Sequence, residues 1–125
     1  MLKPPDIPMY DYLYGILSEV REVRAAIQLK AQEELPDHYL VFYLVSGAPE
    51  GHFSGAYRRE NERYSVAVYD REKDNLESVE ALLKRTMKEA GFLYIAKSQD
   101  LYYKETGHWS RTFDFRYYEE VGKNA

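Results

Sequence analysis

The chain has 125 residues, a formal net charge of −4 and no cysteine. A length in this range leads to the expectation of a single domain, residues 1–125, with one core, and the lack of cysteine excludes disulfides, thiolate metal sites and cysteine nucleophiles. The acidic balance argues against a dedicated binder of nucleic-acid backbone, which carries a basic excess on one face.

The opening MLKPPDIP contains no apolar run of signal-peptide length, and no apolar window approaches the ~20 residues of a membrane helix. The expectation is a soluble protein, cytoplasmic where it is made. Tyrosine is abundant, with 13 residues against 5 Phe and 1 Trp. Its ring packs while its hydroxyl stays wet, which suits either a sheet with wet edges or a protein–protein interface.

Residues 1–5 read as a loose lead-in. Asp6 is a candidate cap for a first helix, with Pro8 tolerated in its first turn. Leu13, Ile16, Leu17, Val20 and Val23 recur at helical spacing, which predicts a helix to about residue 24 or 25. Residues 26–31 read two ways, because Ile27 and Ala31 prolong the helical stripe while Ile27-Gln28-Leu29-Lys30 alternates like a short extended segment. Beyond the Pro36-Asp37 break, Tyr39-Leu40-Val41-Phe42-Tyr43-Leu44-Val45 is an unbroken apolar run, predicting a strand buried on both faces. Ser46-Gly47-Ala48-Pro49 stops it. Residues 48–61 have no period and read as a long mobile loop.

Tyr64, Val66 and Val68 then alternate with Ser65, Ala67 and Tyr69, as a second strand does. Next comes a helix with the stripe Leu76, Val79, Leu82, Leu83, Met87 and Ala90. Asp74 is its candidate N-cap, with Glu77 completing a variant capping box, and Gly91 stands where a left-handed residue ends a helix. Phe92 to Ala96 or Lys97 reads as a third strand, with Leu101-Tyr102-Tyr103 as its candidate continuation past a kink at Ser98-Gln99-Asp100. Glu105-Thr106-Gly107-His108 is turn chemistry. In the last strand Trp109, Phe113, Phe115 and Tyr117 share one face, and Ser110, Thr112, Asp114, Arg116 and Tyr118 the other. Arg111 falls on the apolar face, implying a strand end near water or a bulge. Residues 119–125 read as a frayed tail. The pattern predicts an α+β fold of order α-β-β-α-β-β: a four-stranded, mostly antiparallel sheet with both helices packed on one face.

Little in this chain resembles an active site. His38, His52 and His108 lie in or beside different loops without metal-ligand spacing, and read as ordinary polar loop residues. Glu50, Glu60, Glu62, Asp70, Glu72 and Asp74 each lie close to Arg58, Arg59, Arg63, Arg71 or Lys73, the pattern of a solvated mixed surface, and Asp70 to Asp74 read as the wet entry to the second helix. There is no G-x-S-x-G, no G-x-G-x-x-G and no phosphate loop. The expectation is a non-enzyme without metal or cofactor. The candidate working part is the 48–61 loop, where Phe53, Tyr57, Arg58 and Arg59 make an assembly interface: two large apolar groups and two forked donors on an arm that orders when it docks.

The strands Tyr39-Leu40-Val41-Phe42-Tyr43 and Tyr64-Ser65-Val66-Ala67-Val68-Tyr69 carry a resemblance, together with the helix end Met87-Lys88-Glu89-Ala90-Gly91-Phe92, Asp100-Leu101-Tyr102, Glu105-Thr106-Gly107 and the aromatic strand closing at Arg116-Tyr117. Over about residues 9–118 the chain resembles the tail-terminator, or tail-completion and head–tail joining, proteins of long-tailed bacteriophages. The resemblance implies a virion structural protein at the head–tail junction, present in the host cytoplasm before assembly. It would form a hexameric ring that ends tail-tube growth, with members of the family monomeric until assembly. The implied partners are further copies of itself, the tail tube protein and the head-completion protein, with no membrane and no specific nucleic acid. The alternative is a small nucleic-acid-binding or generic protein-interaction α+β module.

Overall fold

The computed structural model describes residues 3–24, 35–45 and 63–117. In chain order the elements are α1 (Met9–Ser18), β1 (His38–Val45), β2 (Arg63–Asp70), α2 (Asn75–Glu89), β3 (Phe92–Lys97), β4 (Leu101–Tyr103) and β5 (His108–Tyr117). The fold is α+β, with two helices and one sheet whose ladders are all antiparallel.

The sheet has five strands rather than four, in the order β1-β2-β5-β3, with β4 also paired to β5. Because β2 lies along Trp109 to Phe115, both β3 and β4 must lie on the other edge of β5, β3 beside its end and β4 beside its start. The outer strand is thus broken in two. A register shift falls between Tyr94 and Ala96, and Asp100 leaves the ladder to bond Arg111. Ser98 keeps the gap attached to β5, its N–H donating to Thr112 O and its hydroxyl accepting from Thr112 N.

Period-two alternation selects one face of this sheet for the core. Leu40 from β1, Tyr64, Val66 and Val68 from β2, and Phe113, Phe115 and Tyr117 from β5 form one apolar cluster with Leu13 and Leu17 of α1 and Leu76, Val79, Leu83 and Met87 of α2. Both helices therefore share this face. The opposite face, free of helix among the described residues, holds a smaller cluster of Leu35, Tyr39 and Val41 with Tyr69 against it.

Helix α1 ends at Ser18, well before residue 24. The Ser18 hydroxyl bonds back to Tyr14 O, the chain turns through Val20, and Glu22 to Arg24 lie extended beside β1, joined by Arg24 N–H to Leu40 O and Leu40 N–H to Glu22 O. Val20 and Val23 still pack on the core. Their spacing fitted a helix, but an extended segment satisfies the same burial. Pro8, not Asp6, stands at the N-cap. The residues at 26–31 lie outside the described residues, as do 48–61 and 119–125.

Helix α2 begins without the anticipated capping box. Asp74 is already helical and makes no side-chain cap; Glu77 turns to Arg111 instead. The turn that enters the helix is held from β2, where Asp70 accepts from the Glu72 backbone N–H at 2.8 Å and from the Asn75 side-chain Nδ2 at 3.1 Å. At the far end Gly91 has φ of 99°, in the region where a Cβ is strained. Gly91→Ala is expected to cost about 1 kcal/mol, read by chemical denaturation.

Candidate assembly surface

Strand order decides which backbone is left open. β1 and the β3–β4 pair are the outermost strands, and an outer strand presents N–H and C=O groups that another chain can pair with. On β1, residues 22–24 already occupy the outward groups of Leu40. Alternate residues of an antiparallel strand point the same way, so Phe42 and Leu44 also direct theirs outward. Among the described residues they have no backbone partner there.

Large apolar side chains gather at both edges. Tyr43, Leu44 and Val45 are exposed at the end of β1, Leu44 by 52%. The unbroken run 39–45 therefore does not form a strand buried on both faces; burial covers Tyr39 to Val41 and lapses after Phe42. From α1, Tyr10 packs on Phe42 with ring centroids 5.0 Å apart and on Tyr14 at 6.4 Å. Beneath this patch lies a cavity of about 860 Å³ lined by Pro5, Ile7, Met9, Tyr10, Phe42 and Leu44, among others. At the opposite edge Leu93, Tyr94 and Ile95 of β3 and Leu101, Tyr102 and Tyr103 of β4 are exposed. Tyr94 is held by the Lys84 ammonium, 4.1 Å from its ring centre, and Tyr102 leans on Trp109 at 4.9 Å.

Two buried charge clusters fix these edges to the core. Arg111 sits in regular register opposite Val68, at neither a strand end nor a bulge. Its guanidinium grips Asp100 (Nε–Oδ1 2.6 Å, Nη2–Oδ2 2.9 Å) and reaches Glu80 at 2.8 Å and Glu77 at 3.2 Å. Glu80 also binds Lys84 at 2.8 Å and Lys97 at 3.1 Å. One arginine thereby ties α2, the break in the outer strand and β5 together. Burial alone would raise the Glu80 carboxyl, but the bonds from Lys84, Lys97 and Arg111 outweigh it and hold it at about 2. Hydrogen bonding to Arg111 likewise lowers Asp100.

The second cluster surrounds Asp70, which is fully buried rather than part of a wet helix entry. Arg21 reaches it at 2.7 Å and His38 at 2.8 Å, in addition to the two bonds that start α2. Burial opposes its ionisation, yet these donors lower its pKa.

Phe53, Tyr57, Arg58 and Arg59, and with them His52, lie outside the described residues. His108 is a fully buried residue, not a polar loop residue. Among the described residues no group of three or more His, Cys, Asp or Glu side chains converges to hold a metal ion, and no helix is long and apolar enough to cross a membrane. Comparison with protein-family models, with curated proteins and with solved structures gives no match.

Proposed function

We propose that this chain is a non-enzymatic structural protein of the tail-terminator kind, whose copies join edge to edge in a ring that ends the tail tube of a long-tailed phage and receives the head. The reading rests most heavily on one observation: the two edges of the sheet differ in sequence, yet both expose large apolar side chains. The ladders β1–β2, β2–β5 and β5–β3 are each antiparallel, so β1 and β3 run in opposite directions. A second copy added in the same orientation places its β1 antiparallel to the first copy's β3–β4 edge. Head-to-tail contacts of this kind close into a ring when the rotation per subunit permits. The tail tube, the head-completion protein and the number six come from the resemblance of residues 9–118. The 48–61 segment, with Phe53, Tyr57, Arg58 and Arg59, is the proposed contact to the tube protein, the head-completion protein or the adjacent subunit. The alternative of a generic interaction module has the cavity beside β1 in its favour.

The test pairs two edge variants. Leu44→Lys alters β1 and Leu101→Glu alters β4; both side chains are exposed, so each variant should fold with a stability change within about 0.5 kcal/mol. The expected result is that wild-type protein shortens assembling tail tubes, seen by negative stain, and each variant needs at least about tenfold more protein for the same effect, about 1.4 kcal/mol. Deleting residues 50–60 should leave a folded protein that no longer caps tubes. Wild-type protein that leaves tube length unchanged defeats the virion reading; edge variants that cap as well as wild type defeat the edge contact.

A further inference from the structure

Across the face of the sheet opposite α1 and α2, residues 35–37 are fastened from two directions. Arg71 donates from its backbone N–H to Asp37 O at 3.1 Å, from Nη1 to Asp37 Oδ1 at 2.6 Å, from Nη2 to Leu35 O at 3.4 Å and from Nε to Thr106 O at 3.2 Å. His108, the first residue of β5, lies 2.8 Å from Pro36 O through Nε2. Its ring is fully buried, with Tyr39 nearly perpendicular at 5.2 Å and Tyr69 at 6.4 Å. Tyr39 and Tyr69 stack with centroids 4.7 Å apart, and Tyr103 tilts against Tyr69 at 5.7 Å.

The tautomer follows from this geometry. A carbonyl oxygen only accepts, so Nε2 carries the hydrogen and Nδ1 presents a bare lone pair. Nδ1 is buried and, among the described residues, without a hydrogen-bond partner. A second proton would put a charge and an unmatched donor among tyrosine rings, at the full cost of burying both. The ionisable groups around the ring are Asp37 on the fastened segment, Asp70 and Arg71 at the end of β2, and the tyrosines of β1, β2 and β4. Asp37 is held by Arg71 and Asp70 by Arg21 and His38, and neither carboxylate bonds Nδ1. Burial raises Tyr39 to about 12 and Tyr69 further, leaving both neutral whenever histidine titrates.

We propose that residues 35–37 form a proton-released clasp: neutral His108 holds them over the Tyr39, Val41 and Tyr69 surface, and protonation of its buried Nδ1 lets them go, uncovering that apolar face. Burial, joined by the Arg71 charge, lowers the His108 pKa against the raising effect of its bond to Pro36 and of Asp37 and Asp70, as a site closed to the second proton requires. The clasp uses neither Leu44 nor Leu101, the edge residues altered above, and stands whether or not copies form a ring.

Imidazole ¹H–¹⁵N spectra and amide exchange of the intact chain test it. At pH about 7.5 His108 should appear as the Nε2–H tautomer, titrating below the ordinary value of about 6.5. The Arg71 amide, bonded to Asp37 O, should lose at least about tenfold in protection at pH about 5 after correction for intrinsic exchange. His108→Gln keeps a donor toward Pro36 and cannot titrate, so its Arg71 amide should stay protected at both pH values. An Nδ1–H tautomer, a midpoint at or above the ordinary value, or wild-type protection that is equal at both pH values overturns the clasp. Loss of protection to the same extent in His108→Gln overturns it as well, and the wild-type spectra decide the matter if that variant does not fold.

Discussion

Arg111→Met is expected to lower the free energy of unfolding by about 3–5 kcal/mol, the cost of removing one member from a buried charge cluster. Methionine fills similar space and suits the apolar neighbours Phe113 and Trp109, so the loss of volume is a small part of the effect. The larger part is electrostatic. Glu80 and Asp100, each mostly buried, lose the fork that neutralises them; Lys84 and Lys97 remain bonded to Glu80, while Asp100 keeps only the unbonded charges of Lys73 and Lys97. Urea unfolding reads the difference directly, and the melting temperature should fall by about 10–20 °C for a chain of this size. The pH dependence has a definite sign. Glu80 and Asp100 have folded values below their unfolded ones, so their contribution is present above pH about 4 and is lost as the pH falls through the folded values, toward 2 for Glu80. Arg111→Met should flatten that acid limb. A second change, Glu80→Gln, should cost less when added to Arg111→Met than alone, because the two side chains act as one unit. A loss under about 1 kcal/mol for Arg111→Met would mean that solvent reaches the cluster and screens it.

Arg111 also marks where local pattern stops informing. Strands β2 and β5 were legible because period-two alternation records one buried face, and the end of α2 because Gly91 is a local device. The partner of Arg111 was not legible. Glu80 is 31 residues away and Pro36 lies 72 residues from His108, so polarity in sequence reads His108 as a loop residue and Arg111 as a strand end near water or a bulge. His108 reads as the last residue of the turn at 105–108; only the return of Tyr39 and Tyr69 beside it makes that position dry. The end of α1 was misread because Val20 and Val23 satisfy the core from an extended segment as well as from a helix.

The edges were hidden for a different reason. Apolar content in residues 39–45 signals burial, yet exposure of Tyr43 to Val45 depends on β1 being outermost and on residues 22–24 covering only its first half. Likewise Leu101 to Tyr103 look like any short strand until β5 is seen to have β2 on one side and the broken β3–β4 edge on the other. Which apolar residues are left for a partner is a property of strand order, and strand order is not written in any one segment.

Asp70 carries the other large expected effect. Asp70→Ala should lose about 3–5 kcal/mol, because a buried carboxylate with four donors is replaced by a group that accepts from none. Arg21, itself mostly buried, would retain its bond to Tyr69 O but lose its counter-charge, and the Glu72 and Asn75 donors that open α2 would lose their acceptor. Asp70→Asn separates these contributions. Its side-chain oxygen can still take the Glu72 and Asn75 bonds while the charge is gone, so its loss should fall between wild type and Ala. Amide exchange at Glu72 should rise in Ala and much less in Asn. The acid behaviour of the wild type then has two parts. His108, with a folded value below the unfolded one, contributes stability that is full above pH about 6.5 and declines gently beneath it. Asp70, Glu80 and Asp100, all depressed, add a steeper decline below pH about 4. Asp70→Ala should weaken the steep part and, by removing a charge that raises His108, deepen the gentle one, whereas His108→Gln should remove the gentle part. Asp70→Ala as stable as wild type, with α2 protected to its first turn, would show that the Arg71–Asp37 contacts alone suffice to seat the helix against the end of β2.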